Sequence, residues 1–136
     1  MFGIFKKRSK ELPSFDFLQN YEDNDKYFVR TLQWDWLDEK NIHLLDNKSS
    51  RVITLGEWPQ QIYLDANGQK TVKEYVIWMA NQFEPGKVPQ DLDESMILTI
   101  EDLIKEGGIL KLTHQKIDLP YYLEGPKSKQ DAEKAN

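Results

Sequence analysis

A chain of 136 residues with 39% hydrophobic and 30% charged residues suits one domain with a real core rather than two. Its net charge of -5 argues against nucleic-acid binding through bulk electrostatics, because phosphate contacts draw on an excess of Lys and Arg. With no cysteine, disulfides, thiolate catalysis and cysteine-ligated metal clusters are excluded.

The opening MFGIFKKRSK has its apolar residues before its basic ones. A secretory signal needs the reverse order and a longer apolar run, and a spanning helix needs roughly 20 apolar residues. A cytoplasmic location is therefore the default expectation. Phe2, Ile4 and Phe5 followed by Lys6, Lys7, Arg8 and Lys10 could touch an anionic membrane, but stable anchoring takes a longer amphipathic segment or a lipid. A frayed terminus without stable membrane association is expected.

From Glu11 to Asn24 the residues show no clear period and allow one helical turn near Phe15 to Leu18. Between Tyr27 and Leu37, Phe28, Leu32, Trp34 and Trp36 share one parity, as in a half-buried strand, with Arg30 as the exception. Ile42 to Leu45 forms a second apolar run, closed by Asp46-Asn47-Lys48-Ser49-Ser50. Val52, Ile53 and Leu55 form a third. Short loops make these three an antiparallel meander. The stretch from Gly56 to Gly68 has two readings. As a helix it places Pro59 in the first turn and Asn67-Gly68 at the stop; as a strand it alternates Ile62 and Leu64 before a tight turn.

Thr71 to Leu112 is the most legible stretch. Thr71 and Glu74 have the spacing of a capping box, and Val72, Tyr75, Val76, Met79 and Phe83 recur on one helical face, with an end at Glu84-Pro85-Gly86. A second helix starts near Asp91 or Asp93 and presents Leu92, Met96, Ile100 and Leu103, with Ile97 and Ile104 beside them. It stops at Gly107-Gly108. Ile109, Leu110 and Leu112 form a brief strand. Ile117 to Leu123 is expected as an extended surface segment, and Glu124 to Asn136, with nothing to bury, as a disordered tail.

No catalytic constellation emerges. His43 and His114 stand alone. The acids at Glu22-Asp23-Asp25, Asp91-Asp93-Glu94 and Glu101-Asp102 read as a polar loop, a helix N-terminus and a solvated face, because general acid–base work needs carboxylates converging in a pocket. Asp91 to Glu101 lacks the Gly and ligand spacing of a calcium loop. The expectation is a chain that is no enzyme and holds no metal or cofactor.

The order of elements from Ile42 to Leu112 resembles the PqqD-like family of small peptide-recognition domains in modified-peptide biosynthesis. The resemblance is carried by the Val52 to Leu55 strand, by Ile62 to Gly68 ending in Asn67-Gly68 where the family often has Asp-Gly, and by the capped helix from Thr71-Val72. Leu103-Ile104-Lys105-Glu106-Gly107 is similar to the family's L-x-x-x-G ending before an apolar strand. Leu64-Asp65 departs from it, placing an acid where the family usually has an apolar residue. The resemblance implies a helix at Gly56 to Gly68, and with it an α+β fold in which an N-terminal three-stranded antiparallel meander precedes a three-helix winged-helix-like bundle. Residues 26–113 would be the domain, residues 1–25 a partly ordered extension, and residues 114–136 a C-terminal segment and disordered tail.

The resemblance also implies a peptide added beside the third strand, in a groove shared with the last helix, and handed to a modifying enzyme. Carried over, the strand residues are Arg51, Val52, Ile53 and Thr54, and the groove wall is Met96, Ile100 and Leu103. Strand addition makes physical sense, because an exposed sheet edge leaves amides that an extended peptide can satisfy. Two other readings stand beside it. A winged-helix DNA regulator is disfavoured, because the candidate helix carries Asp93, Glu94, Glu101, Asp102 and Glu106 against Lys105. A stand-alone interaction or structural protein would use Trp34, Trp36, Trp58, Trp78, Tyr121 and Tyr122. Trp78 lies off the main stripe of its helix and should pack on a second element or mark a contact surface.

Overall fold

A computed structural model describes residues 12–135. The expected single meander is replaced by two sheets: these residues form an α+β arrangement of six helices and two antiparallel three-stranded sheets. The expected frayed terminus at Met1 to Lys10 lies outside the described residues.

The first difference from expectation is at Tyr27 to Leu37, which is two strands rather than one. β1 (Tyr27–Arg30) and β2 (Gln33–Trp36) belong to different sheets. β1 is central in a sheet ordered β5-β1-β6, with β5 at Asn67–Thr71 and β6 at Leu110–Thr113. Phe28, Val29 and Arg30 are all buried, so β1 is covered on both faces, unlike the half-buried strand that alternation implies. The break falls at Thr31-Leu32. The Thr31 amide donates to the Ile109 carbonyl at 3.1 Å, and the Tyr63 hydroxyl donates to the Leu32 carbonyl. These bonds hold the chain as it leaves one sheet for the other.

The meander proper is β2, β3 (Ile42–Asp46) and β4 (Arg51–Thr54), in that order, with β4 at an edge. Residues paired directly across an antiparallel ladder share a face. Trp34 opposite Leu44, Trp36 opposite Ile42 and Leu44 opposite Ile53 therefore make the inner face. Asp35 opposite His43 and Leu45 opposite Val52 make the outer one.

Helix α1 is Asp16–Asn20, close to the single turn expected near Phe15. Its preceding residue, Phe15, takes a left-handed φ of 54° and buries its ring, and Leu18 is buried beside it. Residues 12–25 are thus part of the folded body rather than an extension to it. Helix α2 is Glu57–Asp65, the helical one of the two readings. It ends before Asn67-Gly68, which opens β5 instead of stopping the helix. Helix α3, Val72–Ala80, has the capping box: the Glu74 amide donates to Thr71 Oγ1 at 3.1 Å, and the Thr71 amide to Glu74 Oε1 at 2.8 Å. It ends short of Glu84, leaving Phe83 half-buried in the turn that follows.

Helix α4, Leu92–Lys105, is the hub. It packs against α1, α2, α3 and β6, and it buries Leu92, Met96, Ile97, Ile100 and Leu103. Such a stripe, wider than one narrow seam, suits a helix surrounded on several sides.

The C-terminal region corrects the expected disordered tail. The Ile117 amide donates to the Gly68 carbonyl, and the chain then forms α5 (Tyr121–Glu124) and α6 (Lys127–Ala135). Both short helices lie against β2, and Ser128 donates through its amide and hydroxyl to the Asp35 carboxylate at 3.0 and 2.8 Å. What the segment buries is supplied by Leu123 and by Gln130, whose amide Nε2 donates to the Tyr121 carbonyl. Among the described residues no helix is long and apolar enough to cross a membrane.

Candidate functional site

The turn between β3 and β4 is held by one carboxylate. Asp46 accepts from the Ser49 hydroxyl at 2.6 Å, from Arg51 Nη2 at 3.1 Å and from the Lys48 and Ser49 amides. The Ser49 hydroxyl, then the Arg51 guanidinium, holds the Asp46 carboxyl below the usual carboxylate range. Arg51 Nε also donates to the Ser49 hydroxyl at 2.9 Å. The guanidinium is thereby engaged within the turn, while β4 runs on from it.

β4 pairs with β3 on one side only. In such an edge strand alternate amides and carbonyls face away from the sheet. Val52 is 64% exposed, which removes any covering layer from the outer face at that point. Ile53 and Leu55, on the inner parity, are half-buried against the core.

Beside β4 lies a groove of about 450 Å³, lined by Ile53, Thr54, Leu55 and Pro59 on one side and by Asp102, Leu103, Glu106 and Ile109 on the other. Arg51 and Gly107 close one end, and a methyl group at Gly107 would lie only 3.1 Å from Arg51 Nη2. The floor is apolar and the helical rim acidic. Gln60 from α2 fixes the neighbouring sheet. Its Oε1 accepts the Ile42 amide at 2.9 Å and its Nε2 donates to the Lys40 carbonyl at 2.8 Å.

Of the residues carried over from the resemblance, Arg51, Ile53, Thr54 and Leu103 line this groove, and Val52 stands on the outer face of the same strand. Met96 and Ile100 have no exposed surface and form core, so they offer no groove wall. Their helical stripe is consumed by α1, α2 and α3. The rim residues Asp102 and Glu106 were not singled out from the sequence as groove residues, although they flank Leu103 at an i, i+4 spacing that puts them on one ridge. Leu55 shares parity with Ile53, which was legible; Pro59 and Ile109 enter only through the way α2 and β6 return to this corner.

The other two sheet-edge regions near the C-terminus are occupied. Ile117 lies against β5 at Gly68, and α5 and α6 lie against β2. No described C-terminal residue lines the groove beside β4. β6 also has an outer side, but the groove accompanies β4.

Trp78 is 39% exposed. Its ring stacks on Tyr75 of the same helix with centroids 5.9 Å apart, and the Lys70 ammonium of β5 sits 5.2 Å from its centroid. Asp65, the departure from the family pattern, accepts the Tyr75 hydroxyl at 2.7 Å. Burial, then that hydrogen bond, raises the Tyr75 phenol above its ordinary value. The acid thus has a structural partner on α3. Comparisons of the chain with models of protein families, with curated proteins and with solved structures found no match.

Proposed function

We propose that the chain is a non-catalytic peptide-binding module that captures an extended peptide by strand addition at β4 and presents it to a partner enzyme. The observation that carries this reading is the coincidence of a one-sided strand with an apolar-floored groove alongside it. Main-chain hydrogen bonds along Arg51 to Thr54 would supply affinity, and the groove would receive alternate side chains. The PqqD-like resemblance over Ile42 to Leu112, with its winged-helix arrangement, points to the same strand and the same helix. Here the helical wall is Asp102, Leu103 and Glu106.

An amide NMR map of the labelled protein, before and after adding a pool of extended peptides encoded beside it, tests the reading. Shifts confined to Arg51 to Thr54 and to Asp102 to Ile109 are expected. If every peptide leaves these amides unmoved, strand addition is wrong.

A second reading, a stand-alone protein-interaction module, uses a different surface. Trp36, Leu37, Tyr121 and Tyr122 are each about half exposed, and α5 lies against β2. Shifts gathered there instead would favour it.

A further inference from the structure

Resting on the strand-addition reading, we infer that the peptide taken by the β4 groove is cationic, with Lys or Arg side chains at alternate positions set against Asp102 and Glu106 and their aliphatic stems lying over the floor of Ile53, Leu55, Leu103 and Ile109.

The two rim carboxylates are exposed, and neither makes a side-chain hydrogen bond or ion pair among the described residues. The nearby cations are directed elsewhere. Lys105 leans toward Glu101 at 4.0 Å, and Arg51 is held by Asp46 and Ser49. Apart from Arg51 at one end of the groove, the acidic rim has no counter-charge among the described residues over the apolar floor.

Spacing adds a geometric reason. Residues four apart on a helix rise about 6 Å along its axis, while alternate residues of an extended peptide are about 6.6 Å apart. On a peptide lying along the helix end, two basic side chains separated by one residue have the spacing to meet Asp102 and Glu106 in turn. The chain's net charge of -5 favours approach of such a partner. An acidic peptide would have to bring its carboxylates against two others while Arg51 and Lys105 lean toward Asp46 and Glu101, a repulsive element that selects beside the attraction.

The test uses two blocked synthetic peptides of equal length, one alternating valine with lysine and one alternating valine with glutamate. Each is titrated into the full chain by amide NMR at low salt, and into the double variant Asp102→Asn, Glu106→Gln. The lysine peptide is expected to shift Arg51 to Thr54 and to bind the native chain about fivefold more tightly than the double variant, the combined effect of two partly screened pairs. That advantage should shrink as salt rises. An unchanged melting temperature of the variant would show that the loss is not one of folding. Equal binding of the two peptides with shifts along β4, or lysine-peptide binding indifferent to the double variant, would overturn the cationic assignment while strand addition stands. No β4 shifts with either peptide would overturn both.

Discussion

Asp93 illustrates how a residue's role can be set by a partner far away in the chain. At the head of α4 it reads as an acid favoured by its own helix's dipole. In the fold it is 3% exposed, and its Oδ2 accepts the Leu18 amide of α1 at 2.9 Å. α1 needs that acceptor, because Phe15 offers no side-chain cap to its first turn. Replacing Asp93 with Ala should leave a buried amide unpaired and cost about 2 kcal/mol in urea unfolding, whereas Asn, which keeps an acceptor, should cost less. Equal losses would mean that the charge matters rather than the acceptor. Arg30 is the opposite case, since the alternation of its neighbours marks it as an exception from the outset. Its guanidinium is buried and donates to the carbonyls of Leu123, Leu64 and Glu124 at 2.8, 2.9 and 3.1 Å. Burial lowers its pKa from the ordinary value without depriving it of hydrogen-bond partners.

Among the elements, β5 shows a backbone requirement that composition alone would not locate. The register between β1 and β5 shifts between the Tyr27–Thr71 and Val29–Asn67 pairs, and Gly68 there has φ 77°. A Cβ at Gly68 would come within 2.4 Å of the Ile117 carbonyl oxygen. Gly68→Ala should therefore cost about 2 kcal/mol by thermal or urea unfolding, from the left-handed backbone and the close approach together. Gly86→Ala is the matched comparison. Its φ is 78°, but nothing lies within 4 Å of the added methyl, so only the smaller conformational cost should appear. The Asn67-Gly68 pair was legible only as a helix stop or a tight turn, whereas it opens β5, and its tertiary contact with Ile117 was not legible. The capping box of α3 was legible because both partners lie within one turn.

Across the whole molecule, the C-terminal segment links the two sheets. It crosses β5 at Ile117, presents the Leu123 and Glu124 carbonyls to Arg30 of β1, and reaches Asp35 of β2 through Ser128. A chain ending at Asp118 should lose about 3 kcal/mol in urea unfolding, since a buried charge loses two acceptors and the Leu123 contact is gone. A loss below about 1 kcal/mol would show that the segment contributes little beyond what solvent supplies.

Locally coded parts were legible in the chain: the amphipathic stripes of α3 and α4, the Thr71 cap, and the apolar runs of β3, β4 and β6, while Arg51 to Thr54 as the candidate-site strand came from the resemblance. Those features depend on residues a few positions apart. Tertiary structure decided that Tyr27 to Leu37 divides between two sheets, because alternation reports exposure of a strand's faces and cannot name its neighbours. It also decided that Lys127 to Ala135 is helical, that Met96 and Ile100 belong to the core, and that Asp102 and Glu106 stand beside β4. Each of these depends on which surfaces distant segments cover, a quantity fixed only when α1, α2 and the C-terminal helices are in place.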